Sequence, residues 1–198
     1  MVAAATFVKV IIYKPYRHLK KKYTMLEHIA ATNIQRFEEI VPIYLTSFPA
    51  KERREPDQLK EMLAVDEMKL MAYVDKGNVV GLLCYWKFRT FTFGEHIAID
   101  SQRKGKGYGS AIMKELLASI DTPLLIEVEH PNGEEAIRRI RFYERLGLTL
   151  LDYDYQQPSY DGVKPSVSMA LMSNKRWDKY ALEQAVEEVA KTVYAKHY

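Results

Sequence analysis

Three alternating glycines, Gly105, Gly107 and Gly109, stand between an apolar predicted strand and an apolar-periodic predicted helix. Glycine lets the backbone approach a ligand closely and adopt positive φ. The main-chain amides of such a loop, with the amino terminus of the helix that follows, form an anion site suited to a pyrophosphate. Lys104 and Lys106 add positive charge on both sides of Gly105. The spacing therefore predicts a phosphate-binding loop.

Two other kinds of glycine-rich loop do not match this segment. A P-loop needs Gly, four residues, Gly-Lys and then Ser or Thr, whereas here Ser110 follows Gly109 directly. The dinucleotide fingerprint needs a third glycine at position 110, and the hairpins predicted around the loop do not form a repeated βαβ unit. Neither nucleotide-binding class is favoured.

A second pattern, Phe-Tyr followed by three residues and Gly, ends a predicted helix at residues 142–147. Gly147 suits the carboxyl cap of that helix, where positive φ is common. In this order and spacing the two motifs resemble those of the GCN5-related N-acetyltransferase (GNAT) family. More narrowly, the stretches 95–100, 127–129, 138–139 and 155–160 resemble those of an uncharacterised bacterial subgroup. The family's loop of Arg or Gln, two residues, Gly, one residue and Gly falls on Lys104, Gly107 and Gly109, with Lys104 as the departure.

The resemblance implies that acetyl-coenzyme A is the co-substrate, and that a main-chain amide near Ile99 polarises the thioester carbonyl. Arg139 stands where relatives often have a small residue, and could reach a phosphate of coenzyme A. No metal is expected, because His96 and His130 lack suitably spaced partner ligands. The expected cofactor-binding residues are Ile97, Ile99, Lys104, Gly105, Lys106, Gly107, Tyr108, Gly109, Ser110 and Arg139.

The expected chemistry is direct attack of an amine on the acetyl thioester, through a tetrahedral intermediate. An amine with a pKa of about 10 is only about one part in a thousand neutral near pH 7, so a base is needed. By strand alternation Glu95 shares a face with Ile97 and Ile99 if no bulge intervenes, and could accept the proton. A salt-bridged structural role for Glu95 is the alternative. The resemblance places the general acid at Tyr143, and core packing is its alternative.

Acidic and aromatic residues indicate where the amine that accepts the acetyl group would bind, here called the acceptor side of the site. Glu127 and Glu129 share one face of a predicted strand, which is unusual for a strand covered on both sides. We expect them to attract a cationic amine, with simple surface exposure as the alternative. Tyr155 could line the same pocket, together with Tyr153, Gln157 and Tyr160, although aromatic residues in closing strands often serve packing.

The favoured function is an N-acetyltransferase that acts on an amine-bearing small molecule or peptide. The alternative is a non-catalytic domain that binds or senses acyl-coenzyme A. Nucleic acid is not favoured as a partner, because residues 1–26 carry a charge of +6 and the rest of the chain carries −3 of the total +3. The single cysteine and the absence of an apolar run of about 20 residues predict a cytoplasmic location and no membrane contact.

The pattern of apolar positions predicts a mixed α/β (α+β) fold, with a mostly antiparallel central sheet flanked by helices and a C-terminal helical extension. We expect a basic leader at 1–24, an acyltransferase domain at 25–173, and a helix at 174–198 that begins at Asn174 and packs on the domain or on a homodimer partner. The predicted elements are helices at 38–48, 58–65, 108–120 and 133–146, and strands at 69–74, 79–88, 90–100, 123–129, 148–155 and 166–172.

Overall fold

The computed structural model describes residues 24–32 and 34–195, and within them the chain forms a mixed α/β fold. In chain order its elements are β1 (Thr24–His28), α1 (Ile34–Ser47), α2 (Pro56–Glu61), β2 (Met68–Asp75), β3 (Asn78–Lys87), β4 (Thr92–Ile99), α3 (Tyr108–Ser119), β5 (Leu124–Val128), α4 (Glu134–Glu144), β6 (Thr149–Leu150), β7 (Tyr155–Gln157), β8 (Val167–Ser173) and α5 (Lys179–Val189). A π-helical turn, Ala190–Tyr194, continues α5.

The strands form one mostly antiparallel sheet, which confirms the predicted fold class. Their order is β1-β2-β3-β4-β5-β8-β6, and β7 also pairs with β8. β4 and β5 are parallel, and only three residues of each strand are paired: Thr92–Gly94 of β4 lie opposite Leu124–Ile126 of β5. Beyond this paired segment β4 continues to Ile99. Because the two strands stop pairing while both continue in the same direction, a cleft opens between their carboxyl ends.

Helices cover both faces of the sheet and form two cores. On one face α1 buries Ile40 and Tyr44, and α5 buries Leu182 beside them. On the other face α3 buries Ile112, and α4 buries Ile140. Each helix has one apolar stripe, and burial of these stripes on the sheet explains why the strands read as near-continuous apolar runs. The sheet is therefore covered by helices on both faces, and the cleft lies between two of its strands, β4 and β5.

Two predictions about strands needed correction. The first strand, β1, was not predicted, because its sequence seemed to belong to the junction with the leader, yet it pairs with β2 from Thr24 opposite Asp75 to His28 opposite Met71. The leader itself lies outside the described residues. The strand predicted at 148–155 is divided into β6 and β7, since both pair with β8 but their register differs.

The C-terminal helix begins later than predicted. Asp178 caps α5, and its side chain accepts a hydrogen bond from the amide of Ala181 at 2.9 Å. The predicted cap, Asn174, was wrong, because its side-chain oxygen accepts a hydrogen bond from the amide of Leu124 at 2.8 Å and so fixes the end of β8 to β5. The helix packs its apolar face on its own domain through Leu182 and neighbouring residues.

Candidate active site

A cleft of about 920 Å³ lies between the diverging ends of β4 and β5. It brings together residues from both predicted motifs and from the predicted acceptor side. The predicted site residues that line it are Glu95, Ile97, Ile99, Lys104, Gly105, Glu127, Glu129, Arg139 and Tyr143. Gln157 and Tyr160 line it as well, whereas Lys106, Gly107, Tyr108, Gly109, Ser110 and Tyr155 are not part of the lining.

The glycine loop leads from β4 into α3 with unusual backbone angles. The side chain of Asp100 accepts a hydrogen bond from the amide of Gln102 at 3.0 Å and starts the turn. Gly105 and Gly107 then have φ of 80° and 81°. Any residue with a side chain would be strained in this left-handed conformation. Gly107 is the amino cap of α3, and no side chain caps the helix there. The first amides of α3 are therefore left for a ligand or solvent.

The two family-like motifs meet at the start of α3. A Cβ atom added to Gly109 would lie 3.6 Å from the ring of Phe142, so α4 packs directly against the first turn of α3. The phenol of Tyr108 donates to a carboxylate oxygen of Asp75 at 2.7 Å, which ties the same turn to the end of β2. The side chain of Tyr108 is thus engaged in the fold, and only its main-chain amide remains for a phosphate.

Tyr143 is a buried phenol that still borders the cleft. It packs in the core under α3 and α4, with its ring 5.0 Å from that of Phe142. Burial raises the pKa of Tyr143 to about 12, although the positive charge of Arg139 one turn earlier opposes the shift. Tyr143 therefore remains protonated at neutral pH, as a proton donor requires.

Glu95 occupies a β-bulge in β4. Cys84 pairs with His96 and Tyr85 pairs with Gly94, so Glu95 has no residue opposite it on β3. A bulge of this kind changes which face the following side chains take. Glu95 and His96 consequently both turn toward the α1 side of the sheet, where Glu95 contacts Cys84 and His96 contacts residues of α1.

The expectation that Glu95 shares a face with Ile97 and Ile99 was therefore wrong. The two isoleucines pack with the core under α3 and α4, on the opposite side of the sheet. The alternation rule failed because one inserted residue shifts the pattern by one position. Glu95 borders the cleft from its α1 side instead.

Glu95 is held by three neighbours. Arg54 forms a buried ion pair with it, Trp86 donates to it from Nε1 at 2.7 Å, and the buried thiol of Cys84 lies 3.3 Å away. Arg54 also donates to the carbonyl of Val193. Burial is the largest single influence and raises the pKa of Glu95, but the charges of Arg54 and His96 and the hydrogen bonds from Trp86 and Cys84 together outweigh burial, so the pKa falls to about 2. This geometry suits the salt-bridged alternative better than a catalytic base.

Glu127, like Glu95, is a carboxylate on a central strand, but its environment differs from that of Glu95. The phenol of Tyr194 lies 2.8 Å and 2.9 Å from its two oxygens, and the phenol of Tyr155 donates to one of them. Burial raises the pKa of Glu127 to about 7, the two phenols oppose this shift, and the negative charges of Glu95 and Glu52 add to it. Glu127 is thus a partly exposed carboxylate that titrates near neutral pH.

Glu129 lies at the mouth of the cleft, one residue after β5. It forms an ion pair with Arg139 at 2.8 Å, and both side chains are close to half exposed. Arg139 also approaches Glu135 at 3.9 Å. A phosphate bound by Arg139 would therefore compete with Glu129 for the guanidinium group of Arg139.

His96 forms part of an aromatic wall on the acceptor side. Its Nε2 lies 2.9 Å from the carbonyl oxygen of Glu52, which can only accept, so Nε2 carries the hydrogen. Burial lowers the pKa of His96, and Glu95 opposes this. The neutral ring stands 4.2 Å from Phe48 and 6.1 Å from Tyr160. The acceptor side therefore combines aromatic rings with carboxylates.

Sequence reasoning missed Arg54 and Tyr194. Arg54 lies in a charged turn that seemed exposed, and Tyr194 lies in the tail. The buried contacts of both residues depend on segments far away in the chain, so no local pattern marks them.

Comparison with known proteins identifies the family of this fold and cleft. The model of the acetyltransferase (GNAT) family matches residues 37–148, which is more than half of the chain. The chain belongs to the GNAT family. This confirms the resemblance drawn from the glycine loop and the Phe-Tyr motif.

Solved structures of similar fold include several acetyltransferases. A protein of Bacteroides thetaiotaomicron that is assigned to the GNAT family has 30% identity and a TM-score of 0.80, and the match covers 86% of this chain and 98% of that one. Arabidopsis thaliana Naa50 in complex with the bisubstrate analogue CoA-Ac-MVNAL has 16% identity and a TM-score of 0.56, with 78% and 99% covered. An aminoglycoside 6'-N-acetyltransferase complexed with coenzyme A has the same identity, 16%, and TM-score, 0.56. No curated protein matches the chain.

Within residues 24–32 and 34–195, no helix is long and apolar enough to cross a bilayer. The same residues contain no group of three or more His, Cys, Asp or Glu side chains that could hold a metal ion.

Replacement of Glu95 tests whether it is structural. Glu95→Gln leaves Arg54 buried without its counter-charge, so we expect the free energy of unfolding at pH 7 to fall by about 3–5 kcal/mol in urea denaturation. Since the folded-state pKa of Glu95 is lowered from 4.5 to about 2, the stabilisation should be present above pH 4.5 and lost as the pH falls toward 2.

The matched control for Glu95→Gln is Glu187→Gln, which removes an exposed ion pair with Lys191 on α5. This control should change the free energy of unfolding by less than about 1 kcal/mol. Equal small effects of the two substitutions would contradict a structural role for Glu95.

Proposed function

We propose that this GNAT protein transfers an acetyl group from acetyl-coenzyme A to the primary amine of a small molecule or peptide. One observation carries the proposal: a single cleft is lined both by Lys104 and Gly105 of the glycine loop, which leads into the uncapped start of α3, and by Glu127, whose pKa burial raises to about 7. The first feature suits a diphosphate, and the second suits the removal of a proton from an amine. Both lie within reach of one bound substrate pair.

The cofactor half of the cleft is built from main-chain groups. The first amides of α3 and the charge of Lys104 would hold the diphosphate of coenzyme A. Beyond Gly94, β4 has no partner strand on the side that faces β5, so the backbone groups of residues 95–99 are available to a bound chain. An amide near Ile99 would polarise the thioester carbonyl, since hydrogen bonds in a site that excludes water stabilise developing negative charge.

The acceptor half supplies negative charge and a base. Glu52, Glu127 and Glu129 line it and would attract an ammonium group. Most of a lysine-like amine is protonated at neutral pH, so attack on the thioester requires that a base take one proton. Glu127 fills this role better than Glu95, because its pKa near 7 leaves it ionised at physiological pH and able to take up a proton.

Tyr143 would complete the reaction as the general acid. Attack by the amine releases a thiolate with a pKa of about 8.5, which needs a proton. The raised pKa of Tyr143 keeps its phenol protonated until that moment. The Naa50 structure with a bisubstrate analogue supports direct transfer in a protein of similar fold.

A thiol-release assay tests the function. The purified chain is incubated with acetyl-coenzyme A and a panel of polyamines, amino acids, aminoglycosides and peptides, and calorimetry measures the binding of coenzyme A. We expect coenzyme A to bind, and one class of amine to release the thiol at rates of order 1 per second or more. Binding without release by any amine would favour an acyl-coenzyme A sensor, and no binding would reject both.

Glu127→Gln tests the base. The variant keeps the shape of the side chain but loses the ionisable group, so kcat/KM at pH 8 should fall by about 100-fold or more, and the rise in activity near pH 7 should disappear. Glu183→Gln, on the exposed surface of α5, is the control and should leave activity unchanged. Full activity of the Glu127 variant at pH 8 would exclude the role.

Tyr143→Phe tests the acid. Loss of the phenol proton with retention of the ring should lower kcat by about 100-fold and leave KM nearly unchanged, because the missing proton transfer belongs to the chemical step. Tyr85→Phe removes a phenol from the same core and is the matched control. Unchanged turnover of Tyr143→Phe across the pH range would show that its place is structural only.

A further inference from the structure

The C-terminal turn contacts Glu127 directly and is linked to Glu95 through Arg54. The carbonyl of Val193 accepts a hydrogen bond from Arg54, which forms the ion pair with Glu95. The next residue, Tyr194, donates its phenol hydrogen to Glu127. Two consecutive residues of the turn thus contact Arg54, the partner of Glu95, and Glu127. The turn lies outside residues 37–148, the part that matches the family model.

The local structure of the turn explains this reach. The last carbonyls of a helix have no partner within the helix, so the carbonyl of Val193 is free to bind Arg54. Residues Ala190–Tyr194 form a π-helical turn, a form that is rare and often lies at functional sites. Tyr194 is 1% exposed, and its ring packs 4.9 Å from the ring of Tyr160 at a tilt of 61°. Its phenol is therefore held in one direction.

We propose that Tyr194 is a positioning residue for amine acetylation, which together with Tyr155 holds the Glu127 carboxylate in place as the proton acceptor. This inference rests on the proposed function. It makes the C-terminal turn a part of the acceptor site rather than a separate appendage. Tyr194 acts through Glu127 and does not line the cleft itself.

The chemistry of the phenols suits both forms of Glu127. When the carboxylate is ionised, Tyr194 donates to it, and the hydroxyl lies at nearly equal distances, 2.8 Å and 2.9 Å, from the two oxygens. When Glu127 is protonated, the hydroxyl of Tyr194 can rotate and accept a hydrogen bond from the carboxyl O–H instead. Hydrogen bonds to a charged group are stronger than those to a neutral one, so the phenols favour the ionised form.

Several ionisable groups face Glu127 from the elements around it. Tyr155 comes from β7, Tyr194 from the C-terminal turn and Tyr160 from the loop before β8, while Glu95 comes from β4 and Glu52 from the segment after α1. Burial and the two carboxylates raise the pKa of Glu127, and the hydrogen bonds from Tyr155 and Tyr194 lower it. Loss of either bond must therefore raise the pKa further.

The pH dependence of activity tests the inference. In the full chain the acidic limb of kcat/KM should have its midpoint near pH 7. In Tyr194→Phe it should move up by about one pH unit or more, since a hydrogen bond to a charged group contributes about 1.5–3 kcal/mol. Activity should recover at high pH, because Glu127 is still present. Tyr155→Phe should shift the limb in the same direction, and the exposed Tyr180→Phe is the control.

A direct titration separates this inference from the proposed function. The carboxyl carbon of Glu127 is followed by NMR over pH in carbon-13-labelled protein without an acceptor, and Glu127→Gln assigns the signal. A higher pKa of Glu127 in folded Tyr194→Phe than in the parent chain supports the inference. If this pKa rises but the parent chain transfers no acetyl group to any amine, only the proposed function is rejected. An unchanged titration, in a variant with the same unfolding midpoint as the parent chain, would overturn the inference even if transfer is active.

Discussion

The buried ion pair between Arg54 and Glu95 is the interaction on which the acceptor half of the cleft depends. Arg54 comes from the segment after α1, Glu95 from the bulge in β4, and the carbonyl of Val193 completes the coordination of the guanidinium. The planar fork of an arginine can bind two partners at once in fixed directions. A single side chain therefore joins three segments that are distant in sequence. Since a buried charge without its partner is costly, the three segments must assemble together.

This ion pair also explains why two carboxylates in the same cleft differ in charge behaviour. Glu95 faces a cation, which holds its pKa at about 2. Glu127 accepts hydrogen bonds from two phenols, and burial raises its pKa to about 7. Pairs of acids whose environments separate their pKa values are a common way to divide structural and proton-transfer roles at neutral pH. Because Arg54 is paired with Glu95, Glu127 is the member of this pair of acids whose pKa lies near neutral pH.

The sequence predicted the parts of the molecule that depend on local signals. The glycine loop with Gly105 and Gly107 at positive φ, the order of most helices and strands, and the family could all be predicted, because each is encoded within a short segment. The bulge at Glu95 could not be predicted, since it depends on how β3 pairs with β4. The role of Tyr194 was equally hidden, as the residue lies 67 positions from Glu127. Non-local packing decided both cases.

The same contrast separates the two halves of the cleft. The proposed cofactor half consists of consecutive residues around the start of α3, which would bind through main-chain amides and so tolerate variation of side chains. The acceptor half takes Glu52, Glu127, Tyr160 and Tyr194 from four different segments, and each contributes a side chain. A change in any one of these segments alters the acceptor half and leaves the loop intact. Under the proposed function, such a fold would permit the amine substrate to change while the acyl donor stays the same.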